Sequence, residues 1–307
     1  MEERAAHGCA FCTTLSLGCR GGSPQGSGAD MDVVLLDGPM GTELARRGVS
    51  TGGRAWSATA IDEAPEVIQA IHADYAAAGA TVHTANTFRT TPRAHGAGWA
   101  RAARRAVALA RGAVPAQHRI AGSIAPIEDC YHPERSPPGA GALHARLASV
   151  LADAGVDLLL CETFPHPGEA LEASRAARAT GLETWLALTA GPDADLLSPA
   201  ELARTARIAW DEGVSRVLIN CTPARAIAPW VDVLARSGAP FGVYANAGAR
   251  DGGLGWGNAP EGPTRYAALA IDWVRAGAVV IGGCCGTSVA HTQAMALALA
   301  ARDPQRR

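Results

Sequence analysis

Residues 157–188 read DLLLCETFPHPGEALEASRAARATGLETWLAL, and this stretch decides the fold. It opens with the Leu-rich run 157–160, passes through a helix-forming stretch over 169–179, and returns to a second apolar run at 184–188. Gly181 lies just beyond the helical stretch, where helices commonly end on a left-handed residue. Two short apolar runs separated by a helix, with no tight hairpin between them, make the βαβ unit of a parallel sheet.

The same alternation extends outward in both directions. Further apolar runs lie at 33–36, 81–84, 119–124, 216–219, 241–244 and 278–281, with helical stretches over 66–78, 100–111, 143–154, 199–211 and 266–276 between them. Eight such repeats in about 275 residues predict a (βα)8 TIM barrel rather than an open doubly wound sheet. The barrel is expected as a single α/β domain over residues 31–307. Residues 1–30 end in a Gly/Ser-rich run and lack a sustained apolar period or a signal-peptide core, so they are expected to form a disordered extension. Cys9 and Cys12 in that segment form one CxxC without a second pair, which is weak ground for a metal site.

Composition narrows the function. Of 307 residues, 48% are hydrophobic and 18% charged, enough apolar surface for a full core. The net charge of −2 comes without a block of like charge, so neither nucleic acid nor an anionic membrane is an expected partner; small-molecule substrates are. No apolar stretch reaches the length of a membrane span. Every basic residue is Arg, which removes Schiff-base chemistry, pyridoxal-phosphate attachment and the lysine of a nucleotide-binding loop. Eight Cys in a chain this long read as reduced thiols or metal ligands of a cytoplasmic protein.

The chemistry stands at the C-terminal ends of the runs, which converge on one mouth in a barrel. They carry Asp37-Gly38, Asn86-Thr87-Phe88, Cys161-Glu162-Thr163, Asn220-Cys221, Asn246 and, last, Gly282-Gly283-Cys284-Cys285-Gly286. Adjacent residues of a strand point to opposite faces, so Cys284 and Cys285 can face one metal only if the backbone turns; the flanking glycines allow it. With Cys221 they make a three-thiolate set suited to Zn²⁺ with one position open. Buried small hydrophobes or a vicinal disulfide are the alternatives. Glu162 needs a cation, either a substrate ammonium or a structural partner, and Asp37 is either a second anchor or a turn residue. Cys161 should face the helices. His83 and His291 show no metal spacing and read as structural. Two long connections, 125–141 and 245–263, follow strands and read as lids over the mouth.

These segments resemble the zinc-dependent homocysteine S-methyltransferase family, which includes betaine-using and S-methylmethionine-using enzymes and the homocysteine-binding module of methionine synthases. The resemblance rests on LLDGPMGTELARRG (35–48), Trp56-Ser57, TANTFRTTP (84–92), AGS (121–123), CETFP (161–165), INC (219–221), VYANAG (243–248) and GGCCGT (282–287). It implies a (βα)8 barrel in which Cys221, Cys284 and Cys285 hold zinc, while Glu162 and Asp37 bind the amino-acid end of homocysteine. Gly38 and Asn86 complete the candidate substrate-binding set. Pro39 departs from the family, which usually carries a small residue there.

The expected activity is methyl transfer from a sulfonium or quaternary ammonium donor to the thiolate of homocysteine, giving methionine, without cobalamin. A free thiol titrates near 8.5, so the metal supplies the nucleophile and no further catalytic side chain is expected. Trp56, Phe88, Phe164 and Tyr244 are candidate aromatic faces for the donor cation. The alternatives are a selenocysteine or other thiol methyltransferase, and a non-catalytic homocysteine or zinc sensor.

Overall fold

Short parallel strands, buried on both faces, build the barrel wall. The computed structural model describes residues 33–257 and 259–302, so the expected extension at residues 1–30 lies outside the described residues. Eight parallel strands follow one another: β1 (Val34–Leu35), β2 (Val82–Ala85), β3 (Arg119–Ile124), β4 (Leu158–Phe164), β5 (Glu183–Leu188), β6 (Arg216–Pro223), β7 (Phe241–Asn246) and β8 (Val280–Ile281). Their order around the sheet is β1-β8-β7-β6-β5-β4-β3-β2. The ring closes where Leu36 bridges Val82 and the Asp37 amide donates to the Val82 carbonyl at 3.0 Å.

Each strand leads into a wall helix. These are α1 (Pro65–Ala77), α2 (Trp99–Ala113), α3 (Gly141–Asp153), α4 (Pro167–Arg178), α5 (Pro199–Asp211), α6 (Ala228–Ala235), α7 (Gly262–Arg275) and α8 (Val289–Arg302). Their starts follow local chemistry. Pro199 opens α5, where the Ser198 and Glu201 side chains cap each other's backbone amides, and Pro167 opens α4, where His166 Nδ1 accepts from the Glu169 amide. The (βα)8 barrel expected from the sequence is the observed architecture.

The interior is filled by Leu36, Val82, Ala121, Leu158, Leu160, Trp185 and their neighbours, while Leu159 and Cys161 join the larger core between strands and helices. Cys161 is fully buried there, as the alternation requires. Strands β4, β6 and β7 run past their apolar runs into polar residues, because ladder hydrogen bonds need only the backbone. Those extra residues carry part of the site, and the segments just beyond β1 and β8 carry the rest.

Candidate active site

At the C-terminal end of the strands a cavity of about 640 Å³ opens, and Asp37, Glu162, Cys221, Cys284 and Cys285 all line it. Glu162 arrives by simple alternation, two residues beyond the inward Leu160. Cys221 does not. With Leu218 inward, alternation directs Asn220 inward and Cys221 toward the helices, yet the Cys221 side chain belongs to the interior set. The backbone makes the exchange: Cys221 has φ +45°, and the β6–β7 register shifts between Asn220 and Pro223. A matching irregularity lies in β4, where Thr163 has φ +63° and the register with β5 shifts. Asn220 Nδ2 donates to Thr163 Oγ1 at 2.8 Å and ties the two irregularities together. Left-handed non-glycine residues cost free energy and survive where their surroundings hold them.

Phe164, offered by the sequence as a donor-facing aromatic, is a correction. The Thr163 irregularity turns it outward, where it is fully buried against His144 of α3 at 5.6 Å between ring centroids. Trp56, Phe88 and Tyr244 do line the cavity, Trp56 and Phe88 edge to face at 5.7 Å. Connection 125–141 adds Cys130 and Tyr131 to the lining. In connection 245–263, Trp256 is not part of the cavity lining. Its indole donates to the Gly248 carbonyl and lies on Gly286, so closely that a Cβ on Gly286 would meet Trp256 at 2.5 Å.

That packing supports the turn after β8. Gly286 sits at φ +84°, its amide donates to Thr42 Oγ1, and Arg46 donates to the carbonyls of Gly286 (3.2 Å) and Thr287 (3.0 Å). Within the turn, the Cys284 amide donates to the Ala245 carbonyl and the Cys285 carbonyl accepts from Ala247, both at 2.9 Å. On the other strand Asn246 Nδ2 donates to the Cys221 carbonyl at 2.8 Å.

The ligand atoms of Cys221, Cys284 and Cys285 lie within 4.8 Å of one another. Cys221 and Cys284 are joined as a disulfide, since sulfurs aimed at one point can bond to each other as well as to a metal. The Cys285 sulfur stands 4.0 Å from that of Cys221, close to the edge of about 3.8 Å expected for a tetrahedron with Zn–S bonds of about 2.3 Å. Burial pushes the Cys285 thiol up to about 11. Sulfurs converging beside an open cavity suit a thiophilic cation with a free coordination position.

Asp37 is buried at the end of β1 and accepts from the Thr84 amide at 2.9 Å. Glu162 accepts from Ser123 Oγ at 2.5 Å and Tyr244 Oη at 3.1 Å. Burial raises both carboxyls above their ordinary range, opposed at Asp37 by the Thr84 hydrogen bonds and at Glu162 by those from Ser123 and Tyr244. The nearest cationic candidate for Asp37 is His72 at 3.9 Å, but burial and then His83 push His72 down to about 3, so it is neutral. Neither Asp37 nor Glu162 has an arginine partner among the described ion pairs, so each is desolvated without a compensating cation.

Asn86 lines the cavity but spends its amide on Ser57, accepting from Oγ at 2.7 Å and donating to the carbonyl at 2.8 Å. It holds the residue next to Trp56. Gly38 is fixed by close approach, since a Cβ there would lie 2.5 Å from the Tyr75 hydroxyl.

Asp37, His72 and His83 form a second set with ligand atoms within 4.8 Å, a possible metal site that the sequence spacing did not reveal because β1, α1 and β2 supply one residue each. Burial and then His118 bring His83 down to about 4. This set is wholly buried behind Asp37, whereas the sulfur set faces the cavity.

A parallel barrel whose strand ends bring a sulfur cluster and paired carboxylates to one cavity defines a thiol-handling (βα)8 enzyme. The sequence profile described as homocysteine S-methyltransferase matches residues 34–299. The chain belongs to the homocysteine S-methyltransferase family. It is 32% identical to the homocysteine S-methyltransferase of Escherichia coli K12, over 86% of this chain and 94% of that one. It is 26% identical to a selenocysteine methyltransferase of Astragalus bisulcatus, over 83% and 89% of the two chains. The crystal structure of the Escherichia coli homocysteine methyltransferase MmuM in its metallated form superposes with a TM-score of 0.73 at 28% identity, covering 87% of this chain and 96% of that one. An oxidized form of the same protein matches with the same TM-score. Among the described residues no helix is long and apolar enough to cross a membrane.

Proposed function

We propose that this chain transfers a methyl group from a sulfonium or quaternary ammonium donor to the sulfur of homocysteine, giving methionine, with zinc as the metal. The observation that carries the reading is the meeting of three cysteine sulfurs with two uncompensated carboxylates at one cavity. Cys221, Cys284 and Cys285, reduced, would hold the ion. Bound Zn²⁺ would supply the positive charge that keeps a thiol deprotonated at neutral pH.

The chain's own residues do the rest. Asp37 and Glu162 take the substrate ammonium in charge-assisted hydrogen bonds, and Ser123 and Tyr244 orient Glu162 for it. Gly38 lets Tyr75 pack closely beside Asp37. Trp56, held in place through Ser57 and Asn86, and Phe88 offer aromatic surface to a donor cation. Held at one mouth, acceptor sulfur and donor methyl need no further general base, because the acceptor thiol would lose its proton to solvent on binding the metal, and no general acid, because the departing donor leaves as a neutral thioether or amine.

The test is turnover by the reduced, zinc-loaded protein with homocysteine and, separately, S-methylmethionine, S-adenosylmethionine and betaine. Methionine formed with one of them supports the reading, and methionine from none overturns it. The similarity to a selenocysteine methyltransferase favours a second acceptor, and competition between selenocysteine and homocysteine in the same assay measures that preference.

A further inference from the structure

Connection 125–141 runs from β3 to α3 and carries Glu128, Asp129, Cys130 and Tyr131 along the cavity. Its position is not set by packing alone. Ile127 and Glu128 line the main cavity on one side and a second hollow of about 190 Å³ on the other, so this stretch is a thin wall between two spaces. A wall without a packed backing needs polar attachments to stay in place.

Glu169, in the first turn of α4, supplies them. It is 4% exposed, and both carboxylate oxygens are used. Oε1 accepts from the Ile127 amide at 2.8 Å and from His144 Nε2 at 3.1 Å, while Oε2 accepts from Ser136 Oγ at 2.5 Å. Burial raises its pKa, but the hydrogen bonds from His144, Ser136 and Ile127 outweigh that and leave it lowered. One buried carboxylate thus grips both ends of the 127–136 strap. Arg89 holds the near end a second time, donating to the carbonyls of Pro126 (3.2 Å) and Glu128 (2.7 Å). At the far end Glu169 is the side chain that binds Ser136.

We infer that Glu169 is a positioning residue for the methyl donor: by holding Ile127 and Ser136 it sets how far Tyr131 and Cys130 reach into the cavity, and so how well the donor fits. Homocysteine is held from the strand ends, so loosening the strap separates the two substrates. The inference rests on the functional reading above, and its test has a readout that does not. Because the chain has no lysine, trypsin cleaves it only after arginine, and Arg135 is an exposed arginine within the strap.

The experiment compares the parent with Glu169→Ala, Glu169→Gln and Ser136→Ala. Each is assayed for the Michaelis constants of S-methylmethionine and homocysteine, zinc content, and the rate of tryptic cleavage after Arg135. Glu169→Ala should raise the donor constant about tenfold or more through misplacement of the strap, with homocysteine and zinc unaffected. Glu169→Gln keeps an acceptor for Ile127 and should recover part of the loss. Ser136→Ala frees one end and should move the donor constant and the cleavage rate the same way by less. If Glu169→Ala fails to fold, the other two variants carry the test. Parental cleavage rates and donor constants in Glu169→Gln and Ser136→Ala, or equal rises in both Michaelis constants, overturn the inference. If the parent shows no turnover, the functional reading fails and cleavage alone decides the strap, equal rates overturning it.

Discussion

The mouth of the barrel has two unlike halves. One is built from strand ends: Asp37, Glu162, Cys221, Cys284 and Cys285 stand on or just beyond β1, β4, β6 and β8, fixed by backbone hydrogen bonds and, after β8, by Thr42 and Arg46. The other is built from connections: Trp56, Phe88, Cys130 and Tyr131 stand on loops and short helical turns, fixed by side-chain contacts to Asn86, Arg89 and Glu169. The difference separates two tasks. Metal chemistry needs several donors at one point within tenths of an ångström, which strands supply; accommodating one donor rather than another needs shape, which loops supply.

The strand half should break hardest. Cys284→Ser removes one of three converging sulfurs, and on the proposed reading thiolate ligation would select zinc there, so metal content and turnover should be lost together. Metal analysis after dialysis checks this, and full zinc occupancy in the variant would refute the ligand assignment. The parent protein, reduced before metal is added, should take up about one zinc per chain, whereas parent protein oxidised at Cys221 and Cys284 should not.

Glu162→Gln tests the strand half without touching the sulfurs. It removes the charge facing the substrate ammonium and keeps the shape, so the Michaelis constant for homocysteine should rise about ten- to a hundredfold, as for a lost charge-assisted hydrogen bond of about 1.5–3 kcal/mol. Zinc should stay bound. An unchanged constant with collapsed stability would assign Glu162 to the scaffold. In the loop half, Trp56→Ala should cost less, because a cation over an aromatic face is worth about 0.5–2 kcal/mol. The donor constant should rise several-fold and the homocysteine constant stay put. A reversed pattern would move Trp56 to the other substrate.

The two halves also differ in how far the sequence disclosed them. Strand alternation placed Glu162 inward and Cys161 outward correctly, because a period of two survives to the end of β4. It could not place Cys221, whose inward aim depends on a left-handed backbone that no residue type around it demands. The same kind of irregularity turned Phe164 away from the cavity. Glu169 gave no signal beyond a helix start, since its partners at 127, 136 and 144 are distant in the chain. The His72–His83 pairing was hidden for the same reason. Short-range patterns therefore revealed the barrel and its strand ends, while the loop half depends on contacts made only after folding.

The smallest expected effect concerns stability and has a definite sign. Burial raises the Glu162 carboxyl above its ordinary 4.5, so the folded, ligand-free protein holds that proton more tightly than the unfolded chain does. Its favourable contribution is therefore complete below that ordinary, unfolded value and is lost as pH rises through the folded one. Once ionised, the carboxylate is a desolvated charge that Ser123 and Tyr244 compensate only in part. Glu162→Gln has no such charge at any pH. Melting temperatures of parent and variant, measured without substrate, should favour the variant at pH 7 and converge as the pH is lowered toward 4. Addition of homocysteine should reverse the order at pH 7, because the ammonium supplies the missing partner to the parent alone. A variant less stable than the parent at pH 7 in the absence of substrate would mean that a cation within the fold already balances Glu162, and the carboxylate pair would lose its standing as the substrate's anchor.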